Sequence, residues 1–214
     1  MIRVLICDDH AIVRQGLRQI IDDQPEMNTV GEAGGYPEVM KQLREHEADL
    51  MLLDISMPGK NGIEILKLVK KEFPKVMVLV LSMYPEDQYA VRAIRAGASG
   101  YLTKQSAADQ LINAIRQVST GRKYITPELA QALANTLGRD TDAMPHETLS
   151  DREYQTLCLI AAGKSLSQIA EELSLSARTV SVYRSRLLEK MGLKNNAELT
   201  HYALKNGLVQ LDAS

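Results

Sequence analysis

The heptapeptide VLICDDH, residues 4–10, joins an apolar run to two adjacent carboxylates. Its apolar part lacks polar alternation, which is typical of a strand that is covered on both faces of a sheet. Two neighbouring carboxylates at the end of such a strand repel each other, so their placement favours a bound cation. The stretch therefore predicts a buried strand with a charged site at its carboxyl end.

Four similar strand-like segments follow, and helix-like segments separate them. The predicted strands are residues 2–7, 29–33, 50–53, 76–81 and 101–103, and the predicted helices are residues 10–22, 37–47, 63–73, 87–96 and 107–119. Apolar strands that alternate with amphipathic helices indicate a mostly parallel sheet with helices on both faces. We therefore predict an α/β fold with a five-stranded, parallel, doubly wound sheet of the flavodoxin-like type.

Polar residues follow the predicted strands at one rim of this sheet. Asp8 and Asp9 follow the first strand, Asp54 the third, Ser82 the fourth and Lys104 the fifth. Ligands of a doubly wound sheet bind at the carboxyl ends of its strands, so these side chains are expected to converge. Carboxylates are ligands that Mg²⁺ prefers, and a lysine beside them suits a phosphoryl group. The pattern predicts a Mg²⁺ site at which a carboxylate forms an aspartyl-phosphate.

The pattern changes after about residue 122. Residues 123–145 are interpreted as a linker that contains a helix at about 126–137 and then a polar, proline-containing stretch. Residues 146–214 contain no strand-like segment and read as four short helices between residues 150 and 206. Serines at the starts of three of these helices fit the rules for helix capping. We predict an all-α second domain over residues 146–214, preceded by an α/β domain over residues 1–122.

Two of the short helices have the spacing of a helix-turn-helix. Residues 166–173 and 177–191 are joined by a tight turn, and residues 176–194 hold five basic side chains against one acidic side chain. The early part of the second helix enters the major groove in proteins of this type. The whole chain has a net charge of −2, so nucleic-acid binding would depend on this local basic face.

The first domain resembles the receiver domain of two-component response regulators. The resemblance rests on Asp8-Asp9, on the motif from Leu53 to Pro58 with Gly62 after it, on Ser82, and on the segment from Tyr101 to Lys104. It implies that Asp54 is the phosphoacceptor and that Asp9, Asp54 and the backbone carbonyl of Ser56 ligate Mg²⁺, with Asp8 acting through water. It also implies that Ser82 and Lys104 hold the phosphoryl oxygens and that Tyr101 is an aromatic switch residue.

The second domain resembles the LuxR-type (NarL/FixJ) helix-turn-helix. The motifs that carry the resemblance include LSDRE at residues 149–153, AGKS at 162–165 and KMG at 190–192. The resemblance implies a four-helix DNA-binding domain. The predicted DNA contacts are Arg178, Thr179, Ser181, Val182, Arg184, Ser185, Arg186 and Lys190. The predicted dimer contacts on the last helix are Leu199, Tyr202 and Ala203, which fit an ordinary core equally well.

The two resemblances together imply a transcriptional response regulator that a histidine kinase phosphorylates on Asp54. The expected partners are this kinase, double-stranded promoter DNA, RNA polymerase and a second copy of the phosphorylated chain. No apolar stretch approaches the ~18 residues of a membrane span, so a cytoplasmic protein without a membrane segment is expected. Two alternatives stay open: a receiver protein that acts through protein contacts without DNA, and an aspartyl-phosphate phosphatase. If the protein is the transcriptional response regulator, we expect that it is not an enzyme.

Overall fold

The protein is described from a computed structural model. The structure describes residues 1–57, 59–84, 86–106, 108–137 and 144–209, without the side chains of residues 86–88 and 135–137. Pro58 of the receiver motif, Ala107 at the predicted start of a helix, residues 138–143 of the predicted linker and the last five residues of the predicted second domain lie outside the described residues. The chain divides into two compact units, Met1–Gln131 and Ala132–Ser214.

The first unit contains five strands that alternate with five helices. The strands are β1 (Ile2–Cys7), β2 (Met27–Ala33), β3 (Leu50–Asp54), β4 (Met77–Ser82) and β5 (Gly100–Thr103). The helices are α1 (Ala11–Asp22), α2 (Tyr36–Glu45), α3 (Gly62–Glu72), α4 (Glu86–Arg95) and α5 (Ala108–Ser119). The strands form one sheet in the order β2-β1-β3-β4-β5, and every pair is parallel. The predicted fold class is confirmed.

The register of the sheet brings the predicted polar residues to one rim. Cys7 pairs with Leu53, so Asp8 and Asp54 each come one position later at the ends of neighbouring strands. Asp54 pairs with Leu81, and Ser82 pairs with Thr103. Asp54 and Ser82 are therefore the last residues of their strands rather than the first residues of loops, because their backbones still have partners in the ladder.

The buried strands form the core of this unit together with the inner faces of helices on the sheet. Val4, Ile6, Leu50, Leu52 and Leu79 are each at most 1% exposed. The run of five buried residues in β3 explains why this strand reads as uniformly apolar until its final carboxylate. Burial on both faces of the sheet is the reason that the sequence of β3 and β4 shows no alternation.

The second unit is helical in its described part. A 3₁₀ helix (Pro145–Thr148) precedes α7 (Asp151–Ala161), α8 (Leu166–Glu172), α9 (Ala177–Met191) and α10 (Asn196–Lys205). A further helix, α6 (Pro127–Leu137), lies in the segment for which the sequence predicts a linker with a helix. The division between the units falls inside that segment, while the exact domain bounds at 122 and 146 stay predictions.

Candidate functional site

The rim of the sheet holds two buried carboxylates with a lysine between them. Asp8 and Asp54 are each 1% exposed. Lys104 Nζ lies 2.5 Å from Asp8 Oδ2 and 3.0 Å from Asp54 Oδ2. Asp9 is only partly buried and lies beside them. The predicted convergence of Asp8, Asp9, Asp54 and Lys104 is thus present in the structure.

The electrostatics of this cluster reflect burial and like charge. Burial raises the pKa of Asp54, the Lys104 ammonium opposes this, and the neighbouring Asp8 carboxylate raises it further. Burial alone would lower the pKa of Lys104, but the Asp54 and Asp8 carboxylates outweigh it and raise that pKa. One ammonium therefore compensates only part of the negative charge of the three carboxylates, so the electrostatics of the site favour a further cation.

The donor set fits a divalent cation. Atoms of Asp8, Asp9, His10 and Asp54 that could each ligate an ion lie within 4.8 Å of one another. Asp54 Oδ1 is buried and accepts no hydrogen bond from the residues that the structure describes. Ser56, whose carbonyl is the remaining predicted ligand, lies two residues beyond Asp54 and is half-buried. A buried carboxylate oxygen without a donor is what a bound cation would satisfy.

The start of α3 packs closely against the candidate phosphoacceptor. Asn61 caps α3 by accepting a hydrogen bond from Glu64 N at 2.8 Å, and Gly62 N donates to Ile55 O at 2.8 Å. A Cβ atom on Gly62 would lie 2.1 Å from the carbonyl oxygen of Asp54. Only glycine fits at this position, which explains the placement of Gly62 after the LDISMP motif.

The predicted switch residues meet at the backbone of one residue. Ser82 Oγ accepts a hydrogen bond from Tyr84 N at 3.0 Å, and the Tyr101 hydroxyl donates to Tyr84 O at 2.8 Å. Ser82 and Tyr101 are both fully buried. The backbone of Tyr84 thus connects the two side chains, a link that a side-chain reading of the sequence could not show.

Two residues of the site are absent from the sequence-based predictions. His10 Nδ1 lies 2.7 Å from Asp9 Oδ1, and Arg14 Nη1 donates to the carbonyl of Asp8 at 2.7 Å. Arg14 also pairs with Glu32 at 3.1 Å. The sequence does contain a signal for Arg14: this arginine lies in the first turns of α1, the helix that directly follows Asp8 and Asp9.

The helical unit contains the predicted helix-turn-helix. Ser174 adopts a left-handed backbone conformation with φ of 52°, and Leu175 N donates to Ala170 O at 2.8 Å. Ser176 then caps α9 by accepting a hydrogen bond from Thr179 N at 3.1 Å. Ile169, Ala170 and Leu173 are buried, as the apolar pattern of the first helix predicts.

The predicted DNA-contacting residues fall into two groups. Arg178, Ser181, Val182, Ser185 and Arg186 are exposed. The other three make side-chain contacts within the unit: Thr179 Oγ1 lies 2.7 Å from Ser176 Oγ, Arg184 Nε donates to Asn196 Oδ1 at 2.6 Å, and Lys190 Nζ pairs with Glu153 at 2.7 Å although Lys190 is itself exposed. The exposed group forms the more available face of α9.

The predicted dimer contacts on α10 are largely internal to the unit. Leu199 and Ala203 are fully buried, and the Tyr202 hydroxyl lies 2.8 Å from His146 Nδ1. Here α10 packs on α7, so the apolar residues of its sequence pattern are used for the core. The structure thus gives Leu199 and Ala203 the core role that an apolar pattern also allows.

Comparison with known proteins identifies both units. Residues 4–116 match the response regulator receiver domain, and residues 147–203 match the bacterial regulatory proteins of the luxR family. The site and the two matches define a response regulator with a receiver domain and a luxR-type helical domain. The chain belongs to the NarL/FixJ family of response regulators.

Relatives over the full length support this assignment. The chain is 36% identical over 209 residues to the response regulator UvrY of Escherichia coli (strain K12), covering 97% of this chain and 96% of UvrY. It is 36% identical over 210 residues to the response regulator GacA of Pseudomonas aeruginosa, covering 98% of each chain.

Solved structures of another response regulator are also similar. RcsB of Salmonella typhimurium shares 27% sequence identity with a TM-score of 0.67, covering 98% of each chain. A structure of an RcsB–DNA complex shares 27% identity with a TM-score of 0.60, covering 98% of this chain and 99% of RcsB.

In the described part of this chain, no helix is both long and apolar enough to span a membrane.

Proposed function

We propose that the protein is a DNA-binding transcriptional regulator that a histidine kinase switches by phosphorylating Asp54. The observation that carries the proposal is the buried Asp54 carboxylate, which has an oxygen without a hydrogen-bond donor among the described residues and a lysine 3.0 Å from its other oxygen. A nucleophile needs a free oxygen and a neighbouring positive charge that stabilises the transferred group.

The chemistry is a phosphoryl transfer from nitrogen to oxygen. An Asp54 oxygen attacks the phosphorus of a phosphohistidine, the P–O bond forms, the P–N bond breaks, and the imidazole nitrogen of the kinase leaves with the electron pair. Mg²⁺, held by Asp9, Asp54 and the Ser56 carbonyl with Asp8 acting through water, would neutralise charge on the phosphoryl oxygens when bound. Lys104 and the Ser82 hydroxyl would hold those oxygens on the other side.

Phosphorylation would act on the contacts that Ser82 and Lys104 make without it. Ser82 Oγ would turn from the Tyr84 backbone to the phosphoryl group, and Tyr84 also accepts the hydrogen bond of the Tyr101 hydroxyl. The segment around Tyr84 would then have two arrangements, one with the Ser82 hydrogen bond and one without it. A phosphoryl group would shift the balance between them.

The output would be promoter DNA bound through α9. The exposed residues Arg178, Ser181, Val182, Ser185 and Arg186 would face the groove, with Thr179, Arg184 and Lys190 as the additional predicted contacts. A dimer of the phosphorylated chain would bind DNA more tightly, because binding of the first helix-turn-helix domain raises the effective concentration of the second. We propose that RNA polymerase is a further partner, that the protein acts in the cytoplasm, where promoter DNA is accessible, and that it has no membrane partner.

Substitution of Asp54 tests the receiver half of the proposal. Acetyl phosphate with Mg²⁺ should label the wild-type protein stoichiometrically, and Asp54→Asn should abolish the label. Asp23→Asn is the matched control, because Asp23 is exposed at the end of α1, and it should be labelled like the wild type. Undiminished labelling of Asp54→Asn would show that another residue is the acceptor.

Gel shifts on promoter fragments test the DNA half. Arg184→Ala combined with Arg186→Ala should abolish binding if the protein reads DNA, whereas a receiver that acts through protein contacts alone would show no binding at all. A phosphatase would instead turn over small phosphate esters many times. We propose that the protein is not such an enzyme, because haloacid-dehalogenase-type phosphatases need a second aspartate two residues after the nucleophile, where this chain has Ser56.

A further inference from the structure

We infer that His10 makes the receiver site a binding site for Zn²⁺, which would hold the site in a form that cannot be phosphorylated. The inference deepens the proposed function, because it assigns an inhibitory ion to the same carboxylates. It depends on Asp54 being the phosphoacceptor only for the inhibition and not for the binding of the metal.

The position of the His10 ring carries the inference. Its Nδ1 lies 2.7 Å from Asp9 Oδ1 and 3.3 Å from Asp8 Oδ1. The backbone N of His10 also donates to Asp8 Oδ1 at 2.9 Å, which holds that oxygen next to the ring. Three potential ligand atoms from consecutive residues therefore lie close together, within 4.8 Å of one another.

The spacing of these atoms fits a small tetrahedral ion. Bonds of about 2.0–2.1 Å to zinc imply a separation of roughly 3.3 Å between neighbouring ligand atoms. The two separations that involve the ring, 2.7 and 3.3 Å, would need shifts of at most about half an ångström at the exposed ring. The remaining separations lie within 4.8 Å and would have to shorten as the side chains close on the ion. His10 has 62% of its side chain exposed, so the ring can both adjust and meet an ion from solvent.

Asp54 provides the fourth ligand and the deeper wall of the site. Its Oδ1 is buried without a hydrogen-bond donor among the described residues, and one of its oxygens lies within 4.8 Å of ligand atoms of Asp8, Asp9 and His10. An ion that takes Asp54 as a ligand would also compete with Lys104, which lies between Asp54 and Asp8.

The nitrogen ligand distinguishes this ion from Mg²⁺. Imidazole suits zinc and other borderline transition metals, whereas Mg²⁺ prefers oxygen and retains several waters. Four protein ligands would close a tetrahedral zinc site, and a closed site has no open position for a phosphoryl oxygen. Zinc would therefore compete with the Mg²⁺-dependent reaction instead of replacing Mg²⁺ in it.

The cysteines do not offer a competing zinc site. Cys7 and Cys158 are both buried, and burial raises the pKa of the Cys7 thiol far above its ordinary value. Zinc binds thiolates, so a buried thiol that stays protonated is a poor ligand. Of the other histidines, His46 is an exposed residue of the same unit, where it follows α2. Its position makes His46→Ala a matched control.

Zinc binding to the full-length chain is the first measurement. Zn²⁺ is titrated into the wild type, His10→Ala and His46→Ala in competition with a chromogenic chelator. We expect one site in the wild type and in His46→Ala, and a loss of at least about tenfold in affinity for His10→Ala. Equal affinity of the wild type and His10→Ala would overturn the inference, as would the absence of a zinc site in the wild type.

Labelling by acetyl phosphate at fixed Mg²⁺ is the second measurement. Rising Zn²⁺ should suppress labelling of the wild type and of His46→Ala, and at least about tenfold more Zn²⁺ should be needed for His10→Ala. Zinc that binds through His10 without suppressing the label would overturn the inhibition. A wild-type chain that takes no label without zinc would contradict the proposed phosphoacceptor, while the chelator titration would still decide the metal site.

Discussion

Asp54 combines two properties that oppose each other, since burial favours its neutral form and its proposed chemistry needs its charge. The carboxyl group is almost completely enclosed, and both burial and the nearby Asp8 raise its pKa. Lys104 compensates only in part, because it pairs with Asp8 as well as with Asp54. A site that is electrostatically unfavourable without its ligands is expected where function requires ligands of opposite charge.

Replacing Asp54 with asparagine should therefore stabilise the protein without added metal. The amide would keep the shape of the carboxylate and leave Lys104 paired with Asp8. The pKa of Asp54 is raised on folding, so its favourable contribution at low pH is lost as the pH rises through the folded-state pKa. At pH 7 with EDTA we expect a gain of roughly 0.5–2 kcal/mol in the free energy of unfolding, measured by urea denaturation.

The pH dependence identifies the cause of this gain. The difference between Asp54→Asn and the wild type should shrink as the pH falls toward 3.8, the ordinary pKa of an aspartate, because the wild-type carboxyl group is then protonated in the folded state. Asp23→Asn, at an exposed carboxylate, should change stability by no more than about 0.5 kcal/mol. A less stable Asp54→Asn at pH 7 would mean that the Lys104 ion pair outweighs desolvation.

Helix α9, the proposed DNA-binding helix, has basic residues in two different environments. Lys190 pairs with Glu153, a side chain that is 4% exposed and that also accepts a hydrogen bond from Ser150 N at 2.8 Å. Burial acts to raise the pKa of Glu153, but the Lys190 ammonium and Ser150 outweigh it and lower that pKa. Arg186 lies exposed on the same helix, with no partner among the residues that the structure describes.

Arg186→Gln and Lys190→Gln should consequently have different effects. Arg186→Gln should weaken promoter binding and reduce the slope of log affinity against log salt by about 1, because one phosphate contact is lost. Lys190→Gln should lower the free energy of unfolding by about 1 kcal/mol, because Glu153 loses its partially screened ion pair. It should reduce the salt slope by less than Arg186→Gln does, because Glu153 engages the Lys190 ammonium that would otherwise contact DNA. Filter binding between roughly 50 and 200 mM salt and urea denaturation separate the two effects. Equal salt slopes for both variants would show that Lys190 leaves Glu153 to contact DNA.

The fold as a whole was more predictable than the division of its residues between site and core. Continuous apolar runs predicted β3 and β4, because these parallel strands are buried on both faces. The convergence of Asp8, Asp54 and Lys104 followed from topology, since the strand ends share one rim. The core role of Leu199 and the ion pair of Lys190 were not predictable, because an apolar or basic residue on a helix reads the same whether it faces its own unit or a partner.

Tyr124, at the end of the first unit, contacts the sheet. The sequence places Tyr124 in a linker that begins at residue 123. In the structure Tyr124 N donates to Ser99 O at 2.8 Å, and its side chain packs against the core under the sheet. A Cβ atom on Gly100 would lie 2.9 Å from the Cβ atom of Tyr124, so the segment runs directly along the edge of β5. On these contacts we propose that the receiver unit continues through Tyr124, while the predicted bound at residue 122 stays a prediction.

Tyr124→Ala should therefore destabilise the receiver unit of the full chain. Loss of a half-buried aromatic ring should lower its free energy of unfolding by about 1–2 kcal/mol, while Arg122→Ala, two residues earlier and exposed, should change it by no more than about 0.5 kcal/mol. Urea denaturation measures the change in the free energy of unfolding. Hydrogen exchange of the β4 and β5 amides then assigns the change to this unit, because those amides belong to its sheet. Equal exchange protection in the two variants would mean that the segment after residue 122 adds nothing to the unit and is the linker that its composition indicates.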